Sequence, residues 1–342
     1  MMKNLLPLVP HYFKANLHTH SNVSDGKYTP EEVKELYKSC GYQILAITDH
    51  STLVPHPELN DSDFLTLLSY ELNVNEPTLS KKGKTYHLNL FAKNPENPLR
   101  FSSRANAGQV WDSEEKQLLF GAIADQQYST EYINRIIAAA TKAGFLVAYN
   151  HPTWSQQEYP DYIGLKGLWG MEIYNHTCFC LGYEEYNDRV YQDLLTQNSR
   201  LFPIAADDFH NFPHGPLGGG WIMVGAEKLD YAAVMQALEK GDFYASTGPE
   251  IHSLQLDGTV LSMSCSDAVS VSIRSHRRQA KRFSPEIGEP LRGVSFDLAP
   301  WMEKWTEEEQ PDAFIRLIVT DAAGNKAYTR ADRYSELSDT KN

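Results

Sequence analysis

The sequence predicts an α/β fold followed by a small all-β appendix. From the start of the chain to about residue 245, short apolar runs alternate with helical patterns, and repeated strand-then-helix order is typical of a mostly parallel sheet or a barrel. After Ser246-Thr247-Gly248-Pro249 the pattern changes to short apolar runs separated by turn signals such as Asp257-Gly258. We therefore expect two domains, residues 1–245 and residues 246–342.

Apolar runs bounded by polar residues indicate the strands of the first domain. These are Phe13 to His18, Tyr42 to Thr48, Phe64 to Leu72, Tyr86 to Ala92, Phe145 to Tyr149, Trp169 to Tyr174, Leu201 to Ala206 and Trp221 to Ala226. Residues 93 to about 128 are less regular and are interpreted as an insertion. The strands of the appendix are predicted at Leu254 to Leu261, Val269 to Ile273, Gly293 to Leu298 and Ala313 to Thr320.

The helices are predicted from their end signals. Thr29-Pro30-Glu31-Glu32 has a Thr cap, a Pro in the first turn and a Glu three residues after the cap, and Gly41 terminates the helix. Further helices are expected at Thr130 to Ala143, near 183–197 and at Asp230 to Lys240.

Composition limits the classes of function. The formal net charge of -13 over 342 residues argues against a large, sequence-independent grip on nucleic acid, although bound metals can invert the sign of charge locally. No apolar stretch is long enough to span a membrane, and the N-terminus has no convincing signal peptide. The four cysteines form no closely spaced framework, so we expect a reducing, cytoplasmic environment.

The chemistry is indicated by histidines at the predicted strand ends, which is where the active sites of α/β barrels lie. His18 and His20 are two residues apart at the end of the first strand, so both side chains point to one side, and Asp25 follows on the loop. An exposed polar loop is the alternative, but a His-x-His pair before an acid is an unusual coincidence. We interpret the pair as facing one metal.

Five more signals follow in the same domain. Taken singly, each has an ordinary explanation, such as a helix cap, a solvent-facing carboxylate or a hydrogen-bonded core histidine, but their shared position at strand ends favours one site. Together the candidate metal ligands are His18, His20, Asp25, His50, Glu71, His87, His151, Asp208 and His210. Nine ligands exceed the four that one zinc ion usually takes, so two or three divalent metals are expected.

The order of these motifs resembles the PHP family, named for its polymerase-associated and histidinol-phosphatase members. The resemblance runs from His18 to His210, and Gly241 to Glu250 (GDFYASTGPE) is also similar to a stretch of related bacterial phosphoesterases. It implies a distorted seven-stranded β/α (TIM-like) barrel that hydrolyses phosphate esters with Mn, Fe or Zn. It further implies that all nine residues are ligands, with Glu71 as a bridge, and that Asp25, where some members have His, favours Mn or Fe.

The expected reaction is attack on phosphorus by a metal-bridging hydroxide, in a site whose net charge would be about +1 to +3. Asp49 and Asp207 stand beside ligands and are expected to orient them. His176 and His214 are candidates for the acid that protonates the leaving group, and Lys27 for a phosphate contact, although each is equally well explained as an ordinary loop residue. The candidate catalytic residues are His176, His214 and Asp49.

Three functions remain open at this point. The first is hydrolysis of a small phosphomonoester, such as a sugar, nucleotide or amino-alcohol phosphate. The second is a nuclease or oligonucleotide phosphodiesterase, for which the basic stretch Arg274 to Arg282 is the one candidate surface, although a charged hairpin edge explains that stretch better. The third is a non-catalytic metal-binding module. The partner is expected to be a small phosphorylated substrate or a short oligonucleotide, with no membrane, and the oligomeric state is open.

Overall fold

The computed structural model describes residues 2–77, 83–97, 127–198, 200–212, 217–276 and 278–338. The strands are β1 Met2–Asn4, β2 His11–Asn16, β3 Ile44–Ala46, β4 Leu65–Leu67, β5 Ser69–Asn75, β6 Thr85–Ala92, β7 Phe145–Tyr149, β8 Gly170–Asn175, β9 Phe202–Ala206, β10 Trp221–Ala226, β11 Phe243–Ser246, β12 Ile251–Asp257, β13 Val260–Ala268, β14 Ser270–Ser275, β15 Ala280–Phe283, β16 Leu291–Asp297, β17 Phe314–Thr320, β18 Lys326–Tyr328 and β19 Asp332–Arg333. The helices are α1 Pro30–Ser39, α2 Thr130–Lys142, α3 Tyr159–Tyr162, α4 His176–Cys180, α5 Asp188–Leu194, α6 Tyr231–Lys240, α7 Ala299–Met302 and α8 Tyr334–Leu337.

Helix ends follow the local sequence closely. The side chain of Thr29 accepts a hydrogen bond from the Glu32 amide, and Glu32 accepts one from the Thr29 amide, so the predicted capping box of α1 is confirmed. Asp230 caps α6 by accepting from the Ala233 amide, and Gly241 ends that helix at φ 74, a left-handed conformation that glycine adopts without strain. Predicted insertion residues 98–126 lie outside the described residues.

Three sheets make up the described parts of the chain. Strands β5-β6-β7-β8-β9 form one, and β1-β12-β13-β16 form a second. The third has the order β15-β14-β17-β18-β11-β10-β2-β3-β4, with β19 paired to β17. Because β18 pairs with β11 and β1 with β12, the strands after residue 246 continue the sheets of the preceding residues. The predicted domain boundary at residue 245 therefore stays a prediction, because strands on both sides of it pair with one another.

The prediction of a seven-stranded TIM-like barrel is wrong. Pairs β2–β3, β3–β4, β7–β8 and β8–β9 are parallel, but β5–β6, β6–β7 and β10–β2 are antiparallel, and none of the sheets in the described residues closes on itself. The predicted strand Phe64 to Leu72 is split at Leu68, where the chain passes from β4 in one sheet to β5 in the other. Alternating strand and helix patterns predict which segments are strands, but they do not predict whether neighbouring strands pair in parallel or antiparallel fashion.

The largest apolar core contains residues of the five-stranded sheet, of strands β2, β3 and β10 of the longest sheet, and of helices α2 and α6. Helix α2 buries Ile133, Ile136 and Ile137 on one face, as its spacing of apolar residues requires. A second core, which includes Leu254, Val271 and Leu317, lies within the strands after residue 250. The histidines and carboxylates that follow β2, β3, β7 and β9 of the largest core take part in the candidate site.

Candidate metal centre

Strand ends bring the candidate residues to one place. His18 and His20 follow β2, His50 follows β3, His151 follows β7, and the pair Asp208 and His210 follows β9. Glu71 and His87 lie within the antiparallel strands β5 and β6. Isolated bridges between Thr19 and Phe209 and between His50 and Glu71 join the two sheets beside these residues.

The ligand atoms of these side chains form four overlapping groups, in each of which the atoms lie within 4.8 Å of one another. One group contains His20, Asp25, His50 and His210. The other three are His18 with His151 and Asp208, His18 with His20 and Glu71, and His50 with Glu71 and His87. All nine residues that the sequence singled out as ligands occur in at least one group.

Glu71 lies at the middle of the cluster and is 1% exposed. Its Oε1 is 3.0 Å from His87 Nδ1, 3.3 Å from His18 Nε2 and 3.4 Å from His151 Nε2. Its Oε2 faces the other way, 3.0 Å from His50 Nδ1 and 3.5 Å from His20 Nε2. One carboxylate thus presents an oxygen to each of two sets of imidazoles.

Several close contacts in the cluster are poor hydrogen bonds. Asp208 Oδ1 lies 3.1 Å from Nε2 of both His18 and His20, yet it is buried and makes no hydrogen bond within the described residues. His50 Nδ1 is likewise buried without a hydrogen bond in the described residues. His18 Nε2 lies 3.2 Å from His20 Nε2. Buried lone pairs that converge without donors are costly unless a cation lies between them, so this donor set fits divalent metals.

Backbone strain occurs at two of the same residues. His151 has φ 21 and Asp208 has φ 52, and neither is a glycine. Such conformations cost about 1–3 kcal/mol each and persist where the surrounding structure holds them. Here they aim both side chains inward from the ends of β7 and β9.

Asp25 approaches from the open side. It is 53% exposed, and its oxygens lie 3.4–3.5 Å from ring nitrogens of His20, His50 and His210. Its loop turns tightly at Gly26, where a Cβ would lie 2.5 Å from the His20 carbonyl oxygen. Together with the partly exposed His50 and His210, Asp25 marks the face through which a ligand would enter.

Charges in the cluster shift its pKa values strongly. Burial disfavours ionised His18, but the adjacent Asp208, Glu172 and Glu71 raise its pKa well above the ordinary value. Burial and the neighbouring His210 lower the pKa of His20 to about 4. Without metal, protons shared among the imidazoles therefore compensate the buried carboxylates.

The pKa values of two carboxylates in the cluster are lowered. Burial alone would raise the pKa of Glu71, but His87, His18 and His50 hold it well below its ordinary value. The pKa of Asp208 is lowered in the same way by the neighbouring histidines. Ionised carboxylates are the form that binds metal.

A family model for the PHP domain matches residues 16–202, which is more than half of the chain. The chain belongs to the PHP domain family. The resemblance in the strand-end motifs is therefore confirmed.

Matches among solved structures include a two-domain protein from Bacteroides vulgatus ATCC 8482, described as containing a predicted PHP-like metal-dependent phosphoesterase. It is 16% identical with a TM-score of 0.44, over 96% of this chain and 98% of that chain. A Bifidobacterium adolescentis ATCC 15703 protein is 18% identical, with a TM-score of 0.38, over 60% and 89% of the two chains. An amidohydrolase from Chromobacterium violaceum has 15% identity and a TM-score of 0.38, over 59% of this chain and 89% of that chain.

A search of curated proteins finds no match. Within the described residues, no helix of the PHP-domain chain has the length and apolarity to cross a membrane.

Glu172 is a functional candidate that the sequence reasoning missed. It lies on β8, is almost fully buried, and places Oε1 2.5 Å from His18 Nδ1. Its Oε2 accepts hydrogen bonds from the His151 amide and from Asn175 Nδ2, which also donates to Asp208. A carboxylate inside the apolar run Trp169 to Tyr174 was the available signal, because a buried acid needs partners.

Asp49 and Asp207 hold loops of the PHP domain. Asp49 accepts hydrogen bonds from the Ser21 amide, the Ser21 hydroxyl and the Ser24 hydroxyl, and so it fixes the start of the Asp25 loop. Asp207 is buried and accepts from the backbone amides of residues 218–220. Neither has a described contact with the imidazole of a candidate ligand, and both support the segments that carry such ligands.

The side chains of His176 and Lys27 have no described contact with the side chain of a candidate ligand. His176 Nδ1 is 2.8 Å from the Tyr174 hydroxyl and its Nε2 is 3.6 Å from Cys180 Sγ, and burial lowers its pKa. Lys27 Nζ lies 5.7 Å from the Tyr28 ring centroid. His214 lies outside the described residues. The catalytic roles of His176, His214 and Asp49 remain predictions.

Proposed function

We propose that this PHP domain is a metal-dependent phosphoesterase that hydrolyses a small phosphate ester. The observation that carries the proposal is the position of Glu71, whose two oxygens face two separate sets of imidazoles. The donor set of six histidines and three carboxylates fits two or three divalent ions of Mn, Fe or Zn better than one four-coordinate zinc.

The candidate ligands would divide between a buried, inner metal position and an outer metal position at the open side of the cluster. His18, His151, Asp208 and Glu71 are buried and would hold the inner metal, while His20, Asp25, His50 and His210 would hold metal at the open side. The ninth ligand, His87, is grouped with His50 and Glu71 and would bind between these two positions or hold a third metal. Bound metal would act as a Lewis acid that makes water nucleophilic near neutral pH and stabilises charge on the phosphate.

The chain itself contributes orientation and charge. Glu172 fixes the ring of His18, and Asp49 fixes the loop of Asp25, so both positions are organised before a substrate arrives. Glu172 also adds a fourth carboxylate beside Asp25, Glu71 and Asp208, which lowers the expected net charge of a loaded site to about 0 to +2. The partly exposed Asp25, His50 and His210 direct the ester to the outer position.

The preference for monoesters over diesters is part of the proposal. The basic stretch of the nuclease alternative includes Lys281 and Arg282, which lie on β15, the terminal strand of its sheet. Exposed cations on an edge strand have an ordinary role in preventing edge-to-edge pairing. No contact joins this strand to the cluster in the described residues, so we favour the small phosphomonoester.

The decisive experiment measures metal content and hydrolysis on one sample purified without added metal or chelator. We expect two or three equivalents of Mn, Fe or Zn, and turnover of p-nitrophenyl phosphate that stops on chelation and returns with metal. Turnover of bis(p-nitrophenyl) phosphate should be slower.

Asp208→Asn is the matched variant, because it keeps the shape of the side chain and removes a buried anion. It should lose metal and hydrolysis while circular dichroism shows a folded chain. Stoichiometric metal without hydrolysis of either ester would favour the non-catalytic metal-binding module. A protein that takes up no metal on titration would contradict the proposal.

A further inference from the structure

A basic cavity lies on the side of the PHP domain remote from the metal centre. Its volume is about 320 Å³, near the lower limit for small-molecule sites. Segments far apart in sequence line it, and its charged lining residues are Arg200, Lys240, Arg330, Arg333 and Glu336. Four cations around one carboxylate are unusual in a chain whose formal net charge is -13.

Strand β9 separates this cavity from the candidate metal centre. Arg200, Leu201 and Phe202 of the cavity stand at the start of the strand, and Asp208 follows its end. At about 3.3 Å per residue, the two sites lie roughly 20 Å apart. A ligand in the cavity would therefore be distinct from a substrate at the metals.

Arg330 is fixed in place before any ligand binds. Its Nε donates to Asp332 Oδ1 at 3.0 Å, and its Nη1 donates to the Lys240 carbonyl oxygen at 2.8 Å. The side chain is 16% exposed, and no hydrogen bond of Nη2 occurs within the described residues. A guanidinium held on one edge loses little entropy when its other edge binds an oxyanion.

Arg333 is fixed by backbone dipoles. Its Nη1 donates to the Asp312 carbonyl oxygen at 3.1 Å, and its Nη2 donates to the carbonyl oxygens of Leu195 and Asn198, both at 2.9 Å. Carbonyl oxygens hold the guanidinium without adding a negative charge. The positive charge of Arg333 therefore adds to that of Arg330 in the cavity wall.

Most of the acidic groups near these arginines do not line the cavity. Glu336 accepts a hydrogen bond from the Arg333 amide at 2.7 Å, and Asp242 lies 3.7 Å from Arg330 Nη1. Asp332 and Asp312 also lie near the arginines, so four carboxylates surround the four cations, but only Glu336 lines the cavity. Exposed Arg200 and Lys240 form no ion pair within 4.0 Å in the described residues, although the charge of Asp242 acts on both.

We propose that this cavity binds a small phosphate-bearing anion at a site separate from the metal centre. Guanidinium groups match phosphate oxygens in geometry, and charge-assisted hydrogen bonds of this type are stronger than neutral ones. The volume admits an anion the size of pyrophosphate or a short organic phosphate. The proposal does not depend on hydrolysis at the metal centre.

The test is calorimetric titration of the full chain with inorganic pyrophosphate, before and after removal of metal by a chelator. Binding in the cavity should survive removal of metal, whereas binding at the metals should not. The variant Arg200→Gln/Lys240→Gln removes two exposed cations, keeps the buried arginines and is expected to fold. It should bind pyrophosphate at least about tenfold more weakly, because each charge-assisted hydrogen bond carries that much affinity.

The matched control is Lys281→Gln/Arg282→Gln, which removes the same two charges from exposed positions on β15. Its affinity for pyrophosphate should stay within about twofold of wild type, since it lacks contact with the cavity. The proposal is overturned if the cavity variant binds as tightly as wild type, if the control weakens equally, or if metal-stripped wild type does not bind pyrophosphate at millimolar concentration.

Discussion

His18 and Glu172 form a short contact in the buried part of the metal centre, with 2.5 Å between Nδ1 and Oε1. The Glu172 oxygen accepts the proton of His18 Nδ1, so Nε2, which faces Glu71 and Asp208, is the nitrogen that gives up its proton when a metal binds. This contact selects the tautomer that can bind a metal through Nε2.

Glu172→Gln should therefore weaken metal binding without removing a ligand. A glutamine can present its amide nitrogen to Nδ1, which stabilises the wrong tautomer of His18. We expect metal affinity to fall about 10- to 100-fold, as is usual for partners of metal-binding histidines. Competition with a metal-sensitive dye would measure the change.

The control is Glu184→Gln, which makes the same substitution at an exposed glutamate. It should bind metal as wild type does. Equal metal affinity in Glu172→Gln and wild type would show that the short contact has no part in selecting the tautomer.

Asp49→Ala should act on the open side of the centre. Asp49 accepts three hydrogen bonds from Ser21 and Ser24, and this loop carries Asp25. Its removal frees the loop, so metal held by Asp25, His50 and His210 should be lost first. Metal stoichiometry on titration should fall by one equivalent, while the tighter buried equivalent remains.

Asp63→Ala provides the comparison for Asp49→Ala, since Asp63 is an exposed aspartate whose partner is Lys38. Its metal stoichiometry should equal that of wild type. If Asp49→Ala retains every equivalent with unchanged affinity, the loop does not need Asp49 to place Asp25.

The sequence predicted the candidate centre better than the fold. His18, His151 and Asp208 could be placed together because each follows an apolar strand, and the ends of neighbouring strands meet. Glu172 could not be assigned to His18 from sequence, because its partner depends on which strand lies beside β8. The barrel prediction failed for the same reason, since β6 pairs in antiparallel fashion with both of its neighbours.

Local signals of helix ends were sufficient where the interaction itself is local. The box of Thr29 and Glu32 and the terminator Gly241 each involve residues within one turn, so no tertiary information was required. Contacts such as that between β18 and β11 join segments about 80 residues apart. Alternating hydrophobicity alone does not specify such a pair.

Asp332 should make stability depend on pH. Burial raises its pKa from 3.8 to about 7, against the lowering effect of Arg330, and its Oδ2 has no hydrogen-bond partner in the described chain. Between about pH 4 and pH 7 the folded protein holds a proton that the unfolded chain releases. The free energy of unfolding contributed by this group therefore falls as pH rises through that range.

Asp332→Asn removes this titration, because an amide stays neutral at every pH in the range. The difference in free energy of unfolding between variant and wild type should shift in favour of the variant from pH 5 to pH 7, as measured by urea denaturation. Asp257→Asn, at an exposed strand end, should show no such trend. Parallel pH profiles for Asp332→Asn and wild type would contradict the raised pKa.

Asp188 and Arg316 join helix α5 to strand β17 of the C-terminal region. Arg316 is 0% exposed, and its Nη1 lies 3.4 Å from Asp188, which also contacts Arg274, Lys326 and the Tyr328 hydroxyl. Burial lowers the pKa of Arg316, and its Nη2 has no hydrogen-bond partner in the described chain. Asp188→Asn leaves a buried cation without its counter-ion and should destabilise the protein by about 3 kcal/mol.

Removing both charges should cost less than the two single changes together. In Asp188→Asn/Arg316→Met no buried cation remains to be compensated, and the methionine fills much of the volume of the arginine stem. Urea denaturation of wild type, both single variants and the double variant measures the coupling. We expect a coupling of about 1–3 kcal/mol, whereas strictly additive losses would mean that Arg316 is stabilised by Gln192 and the Tyr191 ring instead.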